Sequence, residues 1–317
     1  MTNHSRRSFF KLPLPLVCGF SAISSLRAEL EQLKIRYVLS SAMYGEMKLD
    51  DILPEVSKAG CEAIDIWCKV HGNQREQISE MGYARAKDLF DKYKVKPAVF
   101  TRYPLGPFGL QNEIKTISQF FDSEIIVCGT TGSPELKGEE AKKAVQSFLE
   151  KMKPHLATAE ERGVKIAVEN HSSQFLYHPD ALRYFAEFNK SAHLGVAFAP
   201  HHLHKFADDI PNLIRDLGSQ NIPFMYFQEH SVGMLKKSPK KIEMQQMPGF
   251  GGALNYKNIL TALKEIKYKG YCEIFMHPVP RGIPILPEKS QVTNAIIKSC
   301  LLYTSPSPRD GLLSRMP

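Results

Sequence analysis

The sequence has no C-x-x-C pair, no G-x-G-x-x-G turn after its first apolar segment, and no apolar run past its N-terminal region approaching the roughly 18–20 residues of a membrane span. These absences argue in turn against a thiolate zinc site, a dinucleotide-binding open sheet and a transmembrane protein. Cysteine is sparse, with 6 residues at wide and irregular spacing in a 317-residue chain. That excludes a small disulfide scaffold, and a buried apolar role suits most of them. Net charge is also less informative than it looks. Of the formal +8, residues 1–28 carry +4 and residues 300–317 carry +1, which leaves +3 for everything between. So small an excess gives no basis for a nucleic-acid partner. What is present is an ordinary globular mixture, 43% hydrophobic and 23% charged, with enough chain for one large core.

The two ends stand apart. Ser5-Arg6-Arg7-Ser8-Phe9-Phe10-Lys11, followed by a weakly apolar run to Ala28, resembles a twin-arginine export signal. Such a segment is an address read by a translocase, not an anchor. It implies the twin-arginine translocase as a partner during export and a periplasmic or otherwise extracytoplasmic destination. At the other end, Cys300 to Asp310 has the Ser-Pro alternation of a translated sequencing-library adapter. Residues 1–28 are therefore expected to be a signal peptide, 29–299 the folded domain, and 300–317 not native.

Between these ends, short apolar runs alternate with amphipathic stretches. Strands are predicted at 35–41, 63–68, 96–102, 124–130, 164–170, 193–199, 223–229 and 271–277. Their nearly continuous apolar character suits a parallel sheet covered on both faces. Leu49, Ile52, Leu53 and Val56 recur at helical spacing, with Asp50 the expected cap and Pro54 in the first turn, as do Ala141, Ala144, Val145, Phe148, Leu149 and Met152, and Ile259, Leu260, Leu263 and Ile266 behind Asn255. Gly60, Gly163 and Gly270 each stand just before a strand, where a left-handed helix cap is expected. Eight strand–helix units in this length predict a single-domain (β/α)8 TIM barrel.

In such a barrel, chemistry is built at the carboxyl ends of the strands. Those positions are unusually polar here. Strand two ends near Asp65 and Trp67 and runs into His71 and Asn73. Strand five ends Glu169-Asn170-His171, and strand six runs into His201, His202 and His204. Strand seven ends Gln228-Glu229-His230, and strand eight ends at His277, with Arg281 beyond. Seven of the 11 histidines thus gather at one predicted face. Carboxylate, imidazole and amide oxygen converging on one point would suit a divalent Mn, Zn, Co or Fe ion. Such an ion holds a carbonyl and its neighbouring hydroxyl and stabilises the enediolate formed on deprotonation, while a carboxylate moves the proton.

The run ERGVKIAVEN at the fifth strand, LGVAFAPHHL at the sixth, and PGFGGALNYKNILTALKEIKYKGYCEIFMHP at the end resemble the xylose isomerase-like TIM-barrel family of sugar isomerases and epimerases. The resemblance spans about residues 35–298. It implies that Glu169 is the fifth-strand metal ligand and proton-transfer group, and that His202 contacts substrate. It also exposes departures. Ala199 stands where the family's sixth-strand aspartate ligand belongs, with His201 offered in its place. Gln228 is nearest to the seventh-strand histidine, followed by His230. Phe275 displaces the eighth-strand glutamate, leaving His277 as the nearby ligand and catalytic group. The implied metal set is Glu169, His201, Gln228 and His277. Trp67, His71, Asn73 and Arg281 are candidate substrate contacts, though Trp67 is equally suited to the core and Arg281 to solvent.

The expected function is an exported, metal-dependent isomerase- or epimerase-like enzyme that abstracts a proton beside a carbonyl of a small carbohydrate. With one carboxylate base certain, β-elimination from a 3-oxo-glycoside is the alternative, and a carbohydrate-binding barrel without activity a third reading. A DNA-repair endonuclease of the same family would need a fuller ligand set and a basic face, and Ala199 and the low charge supply neither. Homo-oligomerisation is compatible with the sequence.

Overall fold

The computed structural model describes Met1 and residues 33–304, with side chains to Cys300. Residues 2–28 of the expected signal peptide and 305–317 of the adapter-like tail lie outside the described residues. Eight short strands close into a parallel barrel in sequence order, β1 (Arg36–Ser40), β2 (Ala63–Trp67), β3 (Lys96–Thr101), β4 (Ile125–Cys128), β5 (Lys165–Glu169), β6 (Leu194–Phe198), β7 (Phe224–Phe227) and β8 (Tyr271–Ile274), with β8 pairing back onto β1. All eight fall inside the predicted segments. Every residue of β2, β4, β6, β7 and β8 is buried, because barrel packing covers one face and the helical ring the other.

The helices bury most of each face read from their spacing, with Ala144, Leu149, Leu260 and Ile266 only half-buried. The first of these helices starts after Lys48, so that Asp50 falls within its first turn and does not cap it. Leu49, Ile52, Leu53 and Val56 point inward from the helix Leu49–Lys58, and Ala141, Val145, Phe148 and Met152 from the helix Gly138–Arg162. Asn255 caps the helix Tyr256–Glu265, its side chain accepting from the amide of Asn258. Gly60 and Gly163 take left-handed conformations as expected, but Gly270 does not. There the left-handed residue is Lys267, with φ 51°, just past the helix end, so the chain has already turned before the glycine is reached. Gly270 is required for space instead, since a Cβ would run into the hydroxyl of Tyr268 and the carbonyl of Pro223. The final helix, Lys289–Thr304, continues through the boundary expected near Ser299.

No described helix is long and apolar enough to cross a membrane. Cys61, Cys68, Cys128 and Cys272 are free, and all of these but Cys61 are buried, in keeping with packing roles.

Candidate active site at the carboxyl end of the barrel

Alternation along β5 organises the site. Glu169 and His171 stand two residues apart, so an extended chain directs both to the same side, while Asn170 between them points the other way. Asn170 is buried, and its carboxamide pairs with both backbone groups of Ala199: Nδ2 donates to the Ala199 carbonyl at 3.0 Å and Oδ1 accepts from its amide at 2.7 Å. This bridge ties the end of β5 to the 3-10 turn Pro200–Asp209 that follows β6. The turn brings His202 back over Glu169, with Nε2 of His202 at 3.5 Å from Glu169 Oε1.

Donor atoms of Glu169, His171 and His202 lie within 4.8 Å of one another. Two serines that directly follow His171 orient the rings. Ser172 Oγ meets His202 Nδ1 at 3.1 Å, and Nδ1 of His171 accepts from the amide and hydroxyl of Ser173 at 3.2 and 2.8 Å. A proton on His202 Nδ1 directed at Ser172 would leave Nε2 of that ring to a metal once its hydrogen bond to Glu169 is displaced, the usual division of labour in metal-binding imidazoles. The Ser173 amide, by contrast, places the proton of neutral His171 on Nε2, so ligation there requires that contact to give way. Two imidazoles and a carboxylate oxygen are a donor set suited to Zn, Mn, Co or Fe(II), with coordination positions left over for substrate oxygens. The residues present therefore fit a divalent ion.

The electrostatics agree with that use. Burial acts against ionising Glu169, but the hydrogen bond and charge of His202, the charge of His171 and a hydrogen bond from Tyr103 outweigh it, holding the carboxyl below its usual range. The Tyr103 hydroxyl in turn meets that of Tyr226 at 2.9 Å. Burial and neighbouring positive charge push His201 and His277 well below the ordinary imidazole value, and His71 down to about 4. These rings are neutral near pH 7.

The residues expected as a metal set are brought together only in part. Glu169 is at the centre, but the adjoining histidines are His171 and His202, not His201 and His277. The rings of His201 and His277 are 6.5 Å apart, centroid to centroid, and His201 packs beside His202 at 4.1 Å. Both ring nitrogens of buried His201, Nδ1 of His277 and Oε1 of Gln228 have no partner. They lie beside the cluster as buried polar atoms without a protein partner.

Gln228 and His277 are held there by Gln246, a buried residue outside any predicted element. Its Oε1 accepts from Gln228 Nε2 at 3.1 Å and the His277 amide at 2.9 Å, and its Nε2 donates to the His277 carbonyl at 2.8 Å. His230 stacks instead on His204 at 3.6 Å. Trp67 is fully buried and stacked on Phe275 at 4.5 Å, so one face of its ring is already covered, while His71 packs against its edge at 5.1 Å. Asn73 lies apart from the cluster, its Oδ1 accepting from Gln77 at 2.6 Å where the next helix begins.

Asp65, read at the end of strand two, adjoins a second buried acid, Glu273, that is not among the strand-end residues. Asp65 and Glu273 are both fully buried on the inner face of the barrel, below the histidines. Thr101 donates to Asp65 Oδ2 at 2.6 Å, but Asp65 Oδ1 and both Glu273 oxygens lack a partner of full hydrogen-bond geometry. Burial raises Asp65 to about 6 and, together with the neighbouring Asp65 charge, raises Glu273 well above the usual range. Two buried acids side by side cannot both ionise readily, so the pair retains a proton.

The family model described as Xylose isomerase-like TIM barrel matches residues 53–291, and the chain belongs to that family. Among solved structures, the chain is similar to the IolI protein with a bound zinc atom, at 18% identity and TM-score 0.66, covering 86% of this chain and 100% of that one. A D-tagatose 3-epimerase-like protein matches at 17% identity and TM-score 0.59, over 85% and 98%. The probable 3-DHS dehydratase AsbF of Bacillus anthracis matches at 13% identity and TM-score 0.63, over 86% and 100%. At these identities the likeness is one of fold. No curated protein matches the chain by sequence.

Proposed function

We propose that the protein is a metal-dependent enzyme of the isomerase and epimerase type, moving a proton at a carbon beside a carbonyl of a carbohydrate. The observation that carries this reading is the meeting of Glu169, His171 and His202 at the carboxyl end of a closed barrel. A divalent ion bound there supplies Lewis-acid stabilisation for the negative charge that develops on substrate oxygens. Glu169 has two oxygens, so one can face the ion while the other takes the proton. Tyr103 donates to that carboxylate and favours its ionised form. His201 and His277, neutral and with unfilled nitrogens, can donate to or accept from sugar hydroxyls.

A second reading, lyase chemistry by β-elimination from a 3-oxo-glycoside, has a specific observation in its favour. No second carboxylate faces Glu169 across the mouth among the described residues. β8 leads to Phe275 and His277 there, and Glu273 lies deeper against Asp65. One base is enough for elimination or for a one-base isomerisation, whereas inversion between two faces calls for an acid on each side. The epimerase-like protein and the dehydratase among the structural neighbours accord with both readings. From the N-terminal motif alone we place the protein outside the cytoplasm, delivered by the twin-arginine translocase.

Solvent-deuterium exchange tests the proposal. Incubated in D2O with D-fructose or a 3-oxo-glucoside, the metal-loaded protein is expected to exchange the proton next to the carbonyl. Glu169→Gln is expected to slow that exchange by about 10²–10⁴-fold with the fold intact. Exchange at the full rate in the variant would remove Glu169 as the base. Absence of both exchange and stoichiometric metal would leave a binding barrel.

A further inference from the structure

The described arginines that are wholly or partly buried are Arg36, Arg75, Arg102, Arg183 and Arg281. The first four are each within ion-pair distance of a carboxylate: Glu62, Glu113, Glu113 again, and Asp209 with Asp216. Arg281 has none among the described residues. Its guanidinium makes only two long contacts with backbone carbonyls, to Pro278 at 3.4 Å and Met234 at 3.3 Å. A half-buried guanidinium without an anion forgoes the charge-assisted, bidentate bonding that it is shaped for.

Its position gives that vacancy a meaning. Arg281 follows β8 at the mouth of the barrel, and its charge acts on both His71 and His277. These two rings are 4.8 Å apart, His277 is 6.5 Å from His201, His201 is 4.1 Å from His202, and His202 is 4.0 Å from His171. An arc of imidazoles therefore runs from His71 and His277, the two rings that feel the Arg281 charge, to His171 and His202 beside Glu169. The rings supply donors and acceptors, and Arg281 supplies the fixed positive charge at the far end. Sugar hydroxyls need neutral partners of the first kind; an anionic substituent needs the second.

Resting on the reading of this mouth as a carbohydrate site, we propose that the substrate is a sugar acid, whose carboxylate pairs with Arg281 while its carbonyl end lies at Glu169. A single guanidinium matches a monoanionic carboxylate in charge and in the spacing of its two oxygens. A phosphate dianion would call for further cationic groups. Lys240, a cation of the neighbouring loop, is already paired with Glu243 and bonded to the Ile285 carbonyl.

The test is binding without turnover. Isothermal titration calorimetry on the full chain compares D-glucuronate, D-galacturonate and D-mannuronate with the matching neutral hexoses, and with D-glucose 6-phosphate. At least one uronate is expected to bind about tenfold tighter than its hexose. That preference is expected to vanish in Arg281→Gln, to return in part in Arg281→Lys, and to persist in Glu169→Gln. Persistence in the last variant separates this proposal from the proton-transfer reading, which stands or falls on exchange. The proposal is overturned if no uronate outbinds its hexose, if the preference survives in a folded Arg281→Gln protein, or if the phosphate ester binds more tightly than every uronate.

Discussion

His202 and Glu169 approach to 3.5 Å although they belong to different strand–loop units, and Asn170 is the residue that brings the units together. The side chain next to the candidate base thus sets the position of its partner. Odd and even positions of one strand end do different work: Glu169 and His171 form the site, and Asn170 fixes the loop from which His202 returns.

Replacing Asn170 with Ala is expected to cost about 1–3 kcal/mol of stability, because it leaves the buried amide of Ala199 without a partner, while the Ala199 carbonyl keeps only its bond from the His202 amide. Urea unfolding measures that loss. If the bridge also positions His202, the variant should bind Zn²⁺ more weakly than the parent under conditions where both are folded. A destabilised protein with unchanged zinc affinity would reduce Asn170 to a purely structural role.

Metal content separates the two arrangements of histidines. His171→Ala and His202→Ala each remove a donor from the cluster around Glu169, and elemental analysis after dialysis should show well under one equivalent of zinc. His201→Ala and His277→Ala, whose rings lie beside the cluster, should stay near the parent content and affect binding of sugars instead. The reverse pattern would restore the ligand set first read from the sequence.

The barrel itself was legible because eight runs of four to six apolar residues, spaced by amphipathic stretches, permit few other folds. Glu169 was legible for a related reason, as an acid that ends an apolar strand. His171 could have been found by the two-residue period of an extended chain. The choice between His201 and His202 could not, since it is made by the turn after Ala199, where Leu203 and Phe206 leave helical geometry and no repeating pattern applies. Gln246 was hidden for another reason. It lies in the short turn Met244–Gln246, and its importance comes entirely from what it bonds across the ends of β7 and β8. Nor did Trp67 declare itself, because a lone aromatic at a strand end is equally suited to a sugar or to Phe275.

The glycine run before the helix Tyr256–Glu265 has a packing role. A Cβ on Gly252 would collide with the carboxyl of Glu229, which accepts from the Leu254 amide at 3.0 Å. Burial raises that carboxyl to about 7. Gly252 is thus required by the approach of this loop to the end of β7, and Gly249 and Gly251 by their left-handed backbone, with φ 84° and 94°.

Asp65 and Glu273 make the last prediction, one that concerns stability. In the unfolded chain both carboxyls lose their protons near pH 4. In the native barrel Asp65 does so only near 6 and Glu273 higher still, since burial and mutual repulsion oppose two charges in the core. The folded protein therefore binds more protons than the unfolded chain above pH 4, and its stability should fall as pH rises through 6. Glu273→Gln removes one of the two acids and leaves a carboxamide that can donate to Asp65, which can then ionise more readily. Urea unfolding from pH 5 to pH 8 should show a smaller decline for the variant, which should be more stable than the parent at pH 8 by about 3 kcal/mol. Parallel curves for the two proteins would mean that the pair is solvated or neutralised in some other way. A decline that steepens in the variant would place the retained proton on Asp65 instead.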